Sequence, residues 1–452
     1  MKVHYTSLGL AMLFSLNAFA GETLSLKLVP ERDCVLRNSP QEVVIKIDLS
    51  AIDDAHHKAH RPPLNLALVL DRSGSMEGAK LEKAKQAAML VVDRLKQDDV
   101  FSFVIFSDDA QLVVPAQHVD DKDALKEKTE RVEARGSTAL HAGVQMGASQ
   151  LDEYLSDQRI NRVILLSDGL ANVGPSSPRQ LRRLGSQLAE RGISVTTIGV
   201  GNDYNEDLMA GLAEASDANY YYVKDTEKLP EIFAKELGEL QAVAVRKVRI
   251  EIVCPDGVKP LGFIGRSEKF EKQRAVVSLS QFLPGQDRSL FLRCQVNGDQ
   301  PDVARVNVNY TDEADGGTAQ TATGTAHIIF TDDQSRADGS VNRAVYAEKQ
   351  LVLTAVAKDQ AMEQADAGNY AAAATILNTQ NAALSTAYAD APTSVQMKIR
   401  AETNNLNYFS GRFGYSGGGG TGGRSSTIQP RARPCNHSHS THGTRRIEAC
   451  TT

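Results

Sequence analysis

The chain has 452 residues, with 50 Lys and Arg against 56 Asp and Glu and a formal charge of −6. That length exceeds one hydrophobic core and predicts two or three domains. The acidic balance leaves no basic footprint for a nucleic acid, and five cysteines are few, although export would permit them to pair.

The first twenty residues read as a secretory leader. Lys2 supplies a positive start, "LGLAMLFSLNAFA" an apolar middle, and Ala18-Phe19-Ala20 a small-x-small cleavage site. The apolar stretch falls short of the roughly 20 residues that span a bilayer. No cysteine stands at the cleavage point and no wall-sorting motif appears near the end, so the expectation is a soluble protein, periplasmic or secreted, without a transmembrane segment. Removing Lys2 takes the formal charge one unit further negative.

Residues 21–63 hold two alternating runs, "LSLKLV" and "EVVIKIDLS", that read as half-buried strands. A linker closed by two prolines follows. Its His56, His57 and His60 read as a solvated loop, since no carboxylate or cysteine stands at ligand spacing on a rigid element. From 64 to 240 strands alternate with helices. "LNLALVL", "VFSFVIFS", "RVILLSD" and "ISVTTIGVG" are near-continuous apolar runs, the pattern of a parallel sheet buried on both faces. The fold class expected is α/β, a doubly wound, mostly parallel sheet. Residues 241–332 change to short strands with turns between them, an antiparallel β-sandwich. The N-terminal strands lack partners in the α/β block, so they are expected to join this sandwich and make the block an insertion in it. Residues 333–410 read as an alanine-rich helical segment with "AGNY" as the turn between two helices, resembling a tetratricopeptide hairpin. The tail, 411–452, is of low complexity, and its Cys435, His437, His439 and His442 have nothing to preorganise them. Spacing alone does not pair Cys34, Cys254, Cys294, Cys435 and Cys450.

The apolar run 64–70 ends in "DRSGSMEG". An EF-hand loop would need glycine where Met76 stands and a helix where this chain has a strand. The alternative places the loop at the carboxyl edge of a parallel strand, where doubly wound sheets open a ligand crevice. Ser73 and Ser75 then project the same way, and Asp71 anchors the turn. Two further loops at that edge carry hard oxygens: "RGSTAL" offers Thr138, and "LLSDGL" offers Asp168. Singly, Thr138 could cap a helix and Asp168-Gly169 could be a turn. Three such loops at one sheet end point instead to a magnesium-type cation.

These residues resemble the von Willebrand factor A domain with an intact metal-ion-dependent adhesion site: D-x-S-x-S as Asp71, Ser73 and Ser75, the threonine as Thr138, and the distal aspartate as Asp168. The resemblance covers Leu64 to Leu240. It implies a sheet ordered 3-2-1-4-5-6, a threonine loop beside the first loop, and Mg2+, Mn2+ or Ca2+ as cofactor. It also implies a helix from Glu227 to Leu240 that shifts on ligand binding. The flanking sandwich resembles that of secreted relatives of inter-alpha-trypsin inhibitor heavy chains and calcium-activated chloride-channel-like proteins. The function implied is a metal-dependent protein-binding, adhesion-type module whose cation bridges to an Asp or Glu of a partner, with Arg72 and Met76 flanking the footprint. A metal-assisted hydrolase is the rival reading. It would need a general base, and His141 is the only histidine near the motifs. No nucleophile elbow is present, so no enzymatic activity is expected. A scaffold with a non-essential metal site is the third reading.

Overall fold

The computed structural model describes residues 23–37, 39–52, 62–168, 171–201, 206–313 and 315–416, with the backbone of 446–448. The leader, the histidines at 56, 57 and 60, and the tail's Cys435, Cys450, His437, His439 and His442 lie outside the described residues.

Three strands open the chain: β1 (Leu24–Pro30), β2 (Cys34–Leu36) and β3 (Gln41–Ala51). The α/β block then runs β4 (Leu64–Asp71), α1 (Ala79–Arg94), β5 (Val100–Phe106), β6 (Ala110–His118), α2 (Lys122–Glu130), α3 (Leu140–Leu151) and β7 (Ile160–Ser167). It continues with α4 (Pro178–Glu190), β8 (Ile193–Val200), α5 (Glu206–Ala215), β9 (Tyr220–Val223) and α6 (Leu229–Gln241). Its strands lie in the order β6-β5-β4-β7-β8-β9. Counted within the block this is 3-2-1-4-5-6, the order the family resemblance implies, and only the β5–β6 pair is antiparallel. Every residue of β4 is buried because helices cover both faces. Leu64, Leu66, Leu68 and Leu70 share one core with α1 and α6, while Ala67 and Val69 share the other with α3, α4 and α5.

Helix α3 lies unusually close to the sheet. A Cβ on Gly143 would come within 2.7 Å of Phe106 Cδ1, and one on Gly147 within 2.5 Å of Val69 Cγ2. Two glycines one helical turn apart thus give the helix a flat face, and that approach sets where the loop before α3 stands. Helix α4 was not anticipated from the strand pattern. It begins on a capping box, in which Ser177 and Gln180 satisfy each other's exposed backbone groups and Pro178 presets the first turn.

The remaining strands are β10 (Val245–Val253), β11 (Val258–Phe263), β12 (Arg274–Phe282), β13 (Asp287–Val296), β14 (Asp302–Asp312), β15 (Thr318–His327) and β16 (Ile329–Thr331). They form two antiparallel sheets with the first strands, β1-β3-β13-β11 and β12-β10-β14-β15, and β16 pairs with β2. The chain therefore leaves the sandwich after β3 and returns to it at β10. The two sheets enclose Leu26, Ile45, Ile47, Ile250, Ile252, Val277 and Leu292. Cys254 and Cys294 face each other in this core with sulfurs 3.8 Å apart, and Cys34 is buried separately.

The block is tied to the sandwich by hydrogen bonds from buried arginines and a serine. Arg288 Nη1 donates to Asp217 Oδ1 at 2.7 Å, Ser280 Oγ donates to the Asp217 carbonyl at 2.9 Å, and Arg246 Nη1 donates to the Asp157 carbonyl at 2.6 Å. Arg162, almost wholly buried, donates to Gln281 at 3.3 Å.

The C-terminal region differs from the expected pair of helices. After a short α7 (Gln334–Gly339), three long helices pack together: α8 (Arg343–Asp366), α9 (Tyr370–Tyr388) and α10 (Thr393–Ser416). The second turn is set by Pro392, whose carbonyl accepts the first amide bonds of α10. Helix α10 runs into the glycine-rich tail before its regular pattern ends. Helix α8 rests on the outer face of β3 and β13 through Val345 and Val352 against Val44 and Phe291. Among the described residues no helix is long and apolar enough to cross a membrane. The strand Arg446–Glu448 pairs parallel with β9.

Candidate metal centre

Strand β4 delivers Asp71 to the carboxyl edge of the sheet with no exposed surface. The chain turns sharply there: Asp71 Oδ1 accepts the Ser73 amide at 2.8 Å, a local side-chain to backbone bond that closes the turn. Its other oxygen accepts from Ser167 Oγ at 2.5 Å, across from the end of β7. Burial pushes the Asp71 carboxyl up to about 6, with the bonds from Ser167 and Ser73 opposing the rise and the nearby Asp168 charge adding to it.

Beyond the turn the hydroxyls line up. Ser73 Oγ and Ser75 Oγ stand 3.1 Å apart, and Ser75 Oγ donates to Asp168 Oδ1 at 2.7 Å. Asp71, Ser73, Ser75 and Asp168 thus form one connected oxygen cluster drawn from two loops. Thr138 is brought beside it by the backbone. The Gly74 amide donates to the Gly136 carbonyl at 3.0 Å, and the Arg135 amide to the Arg72 carbonyl at 2.7 Å. The Thr138 amide donates to Asn172 Oδ1 at 2.9 Å and its carbonyl accepts from the Asn172 amide at 3.2 Å, which stitches the threonine loop to the segment after Asp168. Thr138 does not cap α3, since the capping position is Ala139 and no side chain bonds there.

Two expectations about the footprint are corrected. Met76 has no exposed surface and packs into the core beneath the turn, and Arg72 is buried with its guanidinium on Gln111 at 3.1 Å. The short helical turn Gly74–Met76 points the methionine inward, and Arg72 runs along the start of β6. Neither is available to line a partner's contact surface. His141 sits in the first turn of α3, half-buried, and burial lowers its basicity.

The structure adds residues that the motif reading passed over. Ser167 orients Asp71, Asn172 fixes the Thr138 loop, and Lys80, on the first turn of α1, pairs its ammonium with Asp168 Oδ2 while donating to the Ser75 carbonyl at 3.2 Å. Ser167 stands directly before Asp168 in "LLSDGL", so its place was legible. Lys80 gives no comparable signal.

The donors are hydroxyl and carboxylate oxygens with no sulfur or imidazole, a set suited to Mg2+ or Mn2+ rather than to a softer ion. Among the described residues no three or more His, Cys, Asp or Glu are grouped so as to hold a metal ion, and this cluster has only two carboxylates beside its hydroxyls. The Lys80 ammonium sits on the cluster through Asp168, as expected where two carboxylates make the local field negative.

Residues 65–235 match the family model of the von Willebrand factor type A domain. The uncharacterised protein sll0103 of Synechocystis is 29% identical over 287 residues, covering 61% of this chain and 67% of that protein. The uncharacterised YfbK of Escherichia coli is 27% identical over 214 residues, 47% of this chain and 37% of its own length. Human inter-alpha-trypsin inhibitor heavy chain H3 is 30% identical over 160 residues, 33% of this chain, and the match spans only 18% of that protein. Among solved structures, a von Willebrand factor type A protein from Catenulispora acidiphila superposes with a TM-score of 0.66 at 17% identity, covering 86% of this chain and 92% of that one. The ArnB paralog VWA2 of Sulfolobus acidocaldarius does so at 0.59 and 17%, covering 86% and 98%. Those two likenesses concern the fold, and they take in most of the chain rather than the α/β block alone.

Proposed function

Residues 65–235 are a von Willebrand factor type A domain, and from that premise we propose that the protein is an exported, metal-dependent protein-binding module without catalytic activity. Asp71, Ser73, Ser75, Thr138 and Asp168 would hold one divalent cation, Mg2+ in the first instance. Bound there, the ion supplies a Lewis-acidic position that a carboxylate from outside the chain can fill. Asp71 and the three hydroxyls fix the donor geometry, and Asp168 adds the second negative charge. Two carboxylates and neutral hydroxyls leave the cation hungry for one more acidic oxygen, so the partner is a protein presenting Asp or Glu.

The observation that carries this reading is the continuous oxygen cluster from Asp71 through Ser73 and Ser75 to Asp168, at the crevice edge of a doubly wound sheet. Export rests on the leader sequence, and type A domains are often found in extracellular or secreted proteins. A hydrolase would need a base at the cluster, and the half-buried His141 has no described bond to it.

The test is Mg2+ titration by calorimetry of the wild type and Asp71→Ala, with capture of proteins from the producing cell in the presence of Mg2+ or of chelator. Loss of an outer-shell partner alone costs about 10–100-fold in metal affinity, so Asp71→Ala should lose at least about 100-fold, and capture should require the ion. Equal Mg2+ affinity in both proteins, or capture indifferent to chelator, would overturn the proposal.

A further inference from the structure

Lys80 is the one cation placed directly on the oxygen cluster among the described contacts of its donors. Its ammonium is bonded to Asp168 Oδ2, whose other oxygen is held by Ser75, and it also reaches the Ser75 carbonyl at 3.2 Å. The Asp168 side chain has no exposed surface, whereas 35% of the Lys80 side chain is exposed. The carboxylate is therefore fixed and the lysine approaches it from the solvent side, over the site. Gly201, directly after β8, stands beside the same point: a Cβ there, where φ is +80°, would lie 3.6 Å from the Lys80 nitrogen. Lys80 is in the first turn of α1, where the positive end of the helix dipole disfavours a cation. The helix does not hold the ammonium in place; Asp168 does.

We propose that Lys80 is a tethered cation that neutralises Asp168 before metal binds and must withdraw its ammonium for a divalent ion to take that carboxylate. This inference rests on the metal-binding reading above. A divalent ion and an ammonium on one carboxylate repel each other, and the four-carbon stem of a partly exposed lysine lets the charge swing into water. Metal affinity is then the intrinsic affinity of the oxygens reduced by the fraction of molecules in which Lys80 is paired. If pairing holds about nine molecules in ten, it weakens binding about ten-fold. The opposite arrangement, in which Lys80 stays on Asp168 and supports it as a ligand, makes the opposite prediction for the same substitution.

The experiment uses the full chain as wild type, Lys80→Met, which keeps the stem and removes the charge, and Lys80→Gln as a second neutral variant in case the first does not fold. Two quantities are read: the thermal midpoint in chelator, and the dissociation constants for Mg2+ and Mn2+ by calorimetry. Expected is a lower midpoint in chelator for the neutral variants, because Asp168 loses its counter-charge, together with about ten-fold tighter Mg2+ binding. Metal binding by a neutral variant but not by the wild type would support the proposal equally. Wild-type Mg2+ binding with equal or weaker binding by the neutral variants overturns the tethered-cation role and leaves the metal reading standing. Absence of Mg2+ and Mn2+ binding by all of the proteins overturns both.

Discussion

Ser167→Ala removes one hydroxyl and leaves every proposed metal donor in place. Its Oγ donates to Asp71 Oδ2 at 2.5 Å between two side chains without exposed surface. A hydrogen bond to a charged group contributes about 1.5–3 kcal/mol, and the loss falls on Asp71 in its ionised form. The Asp71 carboxyl, already raised to about 6 by burial against the opposing bonds from Ser167 and Ser73, should rise further. Metal binding requires the ionised form, so the variant should bind Mg2+ about 10–100-fold more weakly at neutral pH. The deficit should shrink as pH rises above the new carboxyl value. Calorimetric Mg2+ titration at pH 6, 7 and 8 measures this, with circular dichroism to verify that β7 and its neighbours remain folded. A variant with wild-type Mg2+ affinity at all three pH values would refute the claim that Ser167 sets the charge and orientation of Asp71.

Gly147→Ala brings a methyl within 2.5 Å of Val69 Cγ2, and overpacking of this kind costs about 1–3 kcal/mol, read as a lowered urea midpoint. Because α3 carries the Thr138 loop, Mg2+ affinity should fall with it. Asp217 anchors Arg288 between block and sandwich. Burial pushes its carboxyl up, but the Arg288 guanidinium and the bonds from Ser280 outweigh burial and hold it below 3.8. A depressed carboxyl stabilises the fold fully above its unfolded value and loses that contribution as pH falls through the folded one. The wild type should therefore lose urea stability from near pH 3.8 downward, and Asp217→Asn should flatten that slope. Asparagine tolerates the left-handed φ of +52° at this position, so the substitution isolates the charge. Its cost at neutral pH should be about 2 kcal/mol from the lost charged hydrogen bonds. An unchanged acid slope would remove Asp217 from the account of domain anchoring.

The parallel sheet was legible because burial on both faces writes itself as unbroken apolar text, as in β4, β7 and β8. The meeting of Ser73, Ser75 and Asp168 at one sheet edge was legible because hydroxyls at two-residue spacing directly after such a strand have few structural uses. Helix α4 was missed although its text carries the signals, a Ser177-Pro178-x-Gln180 capping sequence and then Leu181, Leu184 and Leu188 at helical spacing. The third helix of the C-terminal bundle was folded into a two-helix reading because alanine-rich, weakly amphipathic text marks few boundaries, and only Pro392 divides α9 from α10. Arg72 read as flanking the partner footprint, but its guanidinium is drawn onto Gln111 of β6, a pairing that no local pattern records. The same holds for Lys80, whose partner lies 88 residues away.

The most direct measurement is a crystal structure grown with Mn2+, with the ion located by its anomalous signal. The account predicts one strong peak among the oxygens of Asp71, Ser73, Ser75, Thr138 and Asp168, with the Lys80 ammonium moved off Asp168. A crystal in which those side chains surround no peak, or in which the manganese lies elsewhere on the chain, would contradict it.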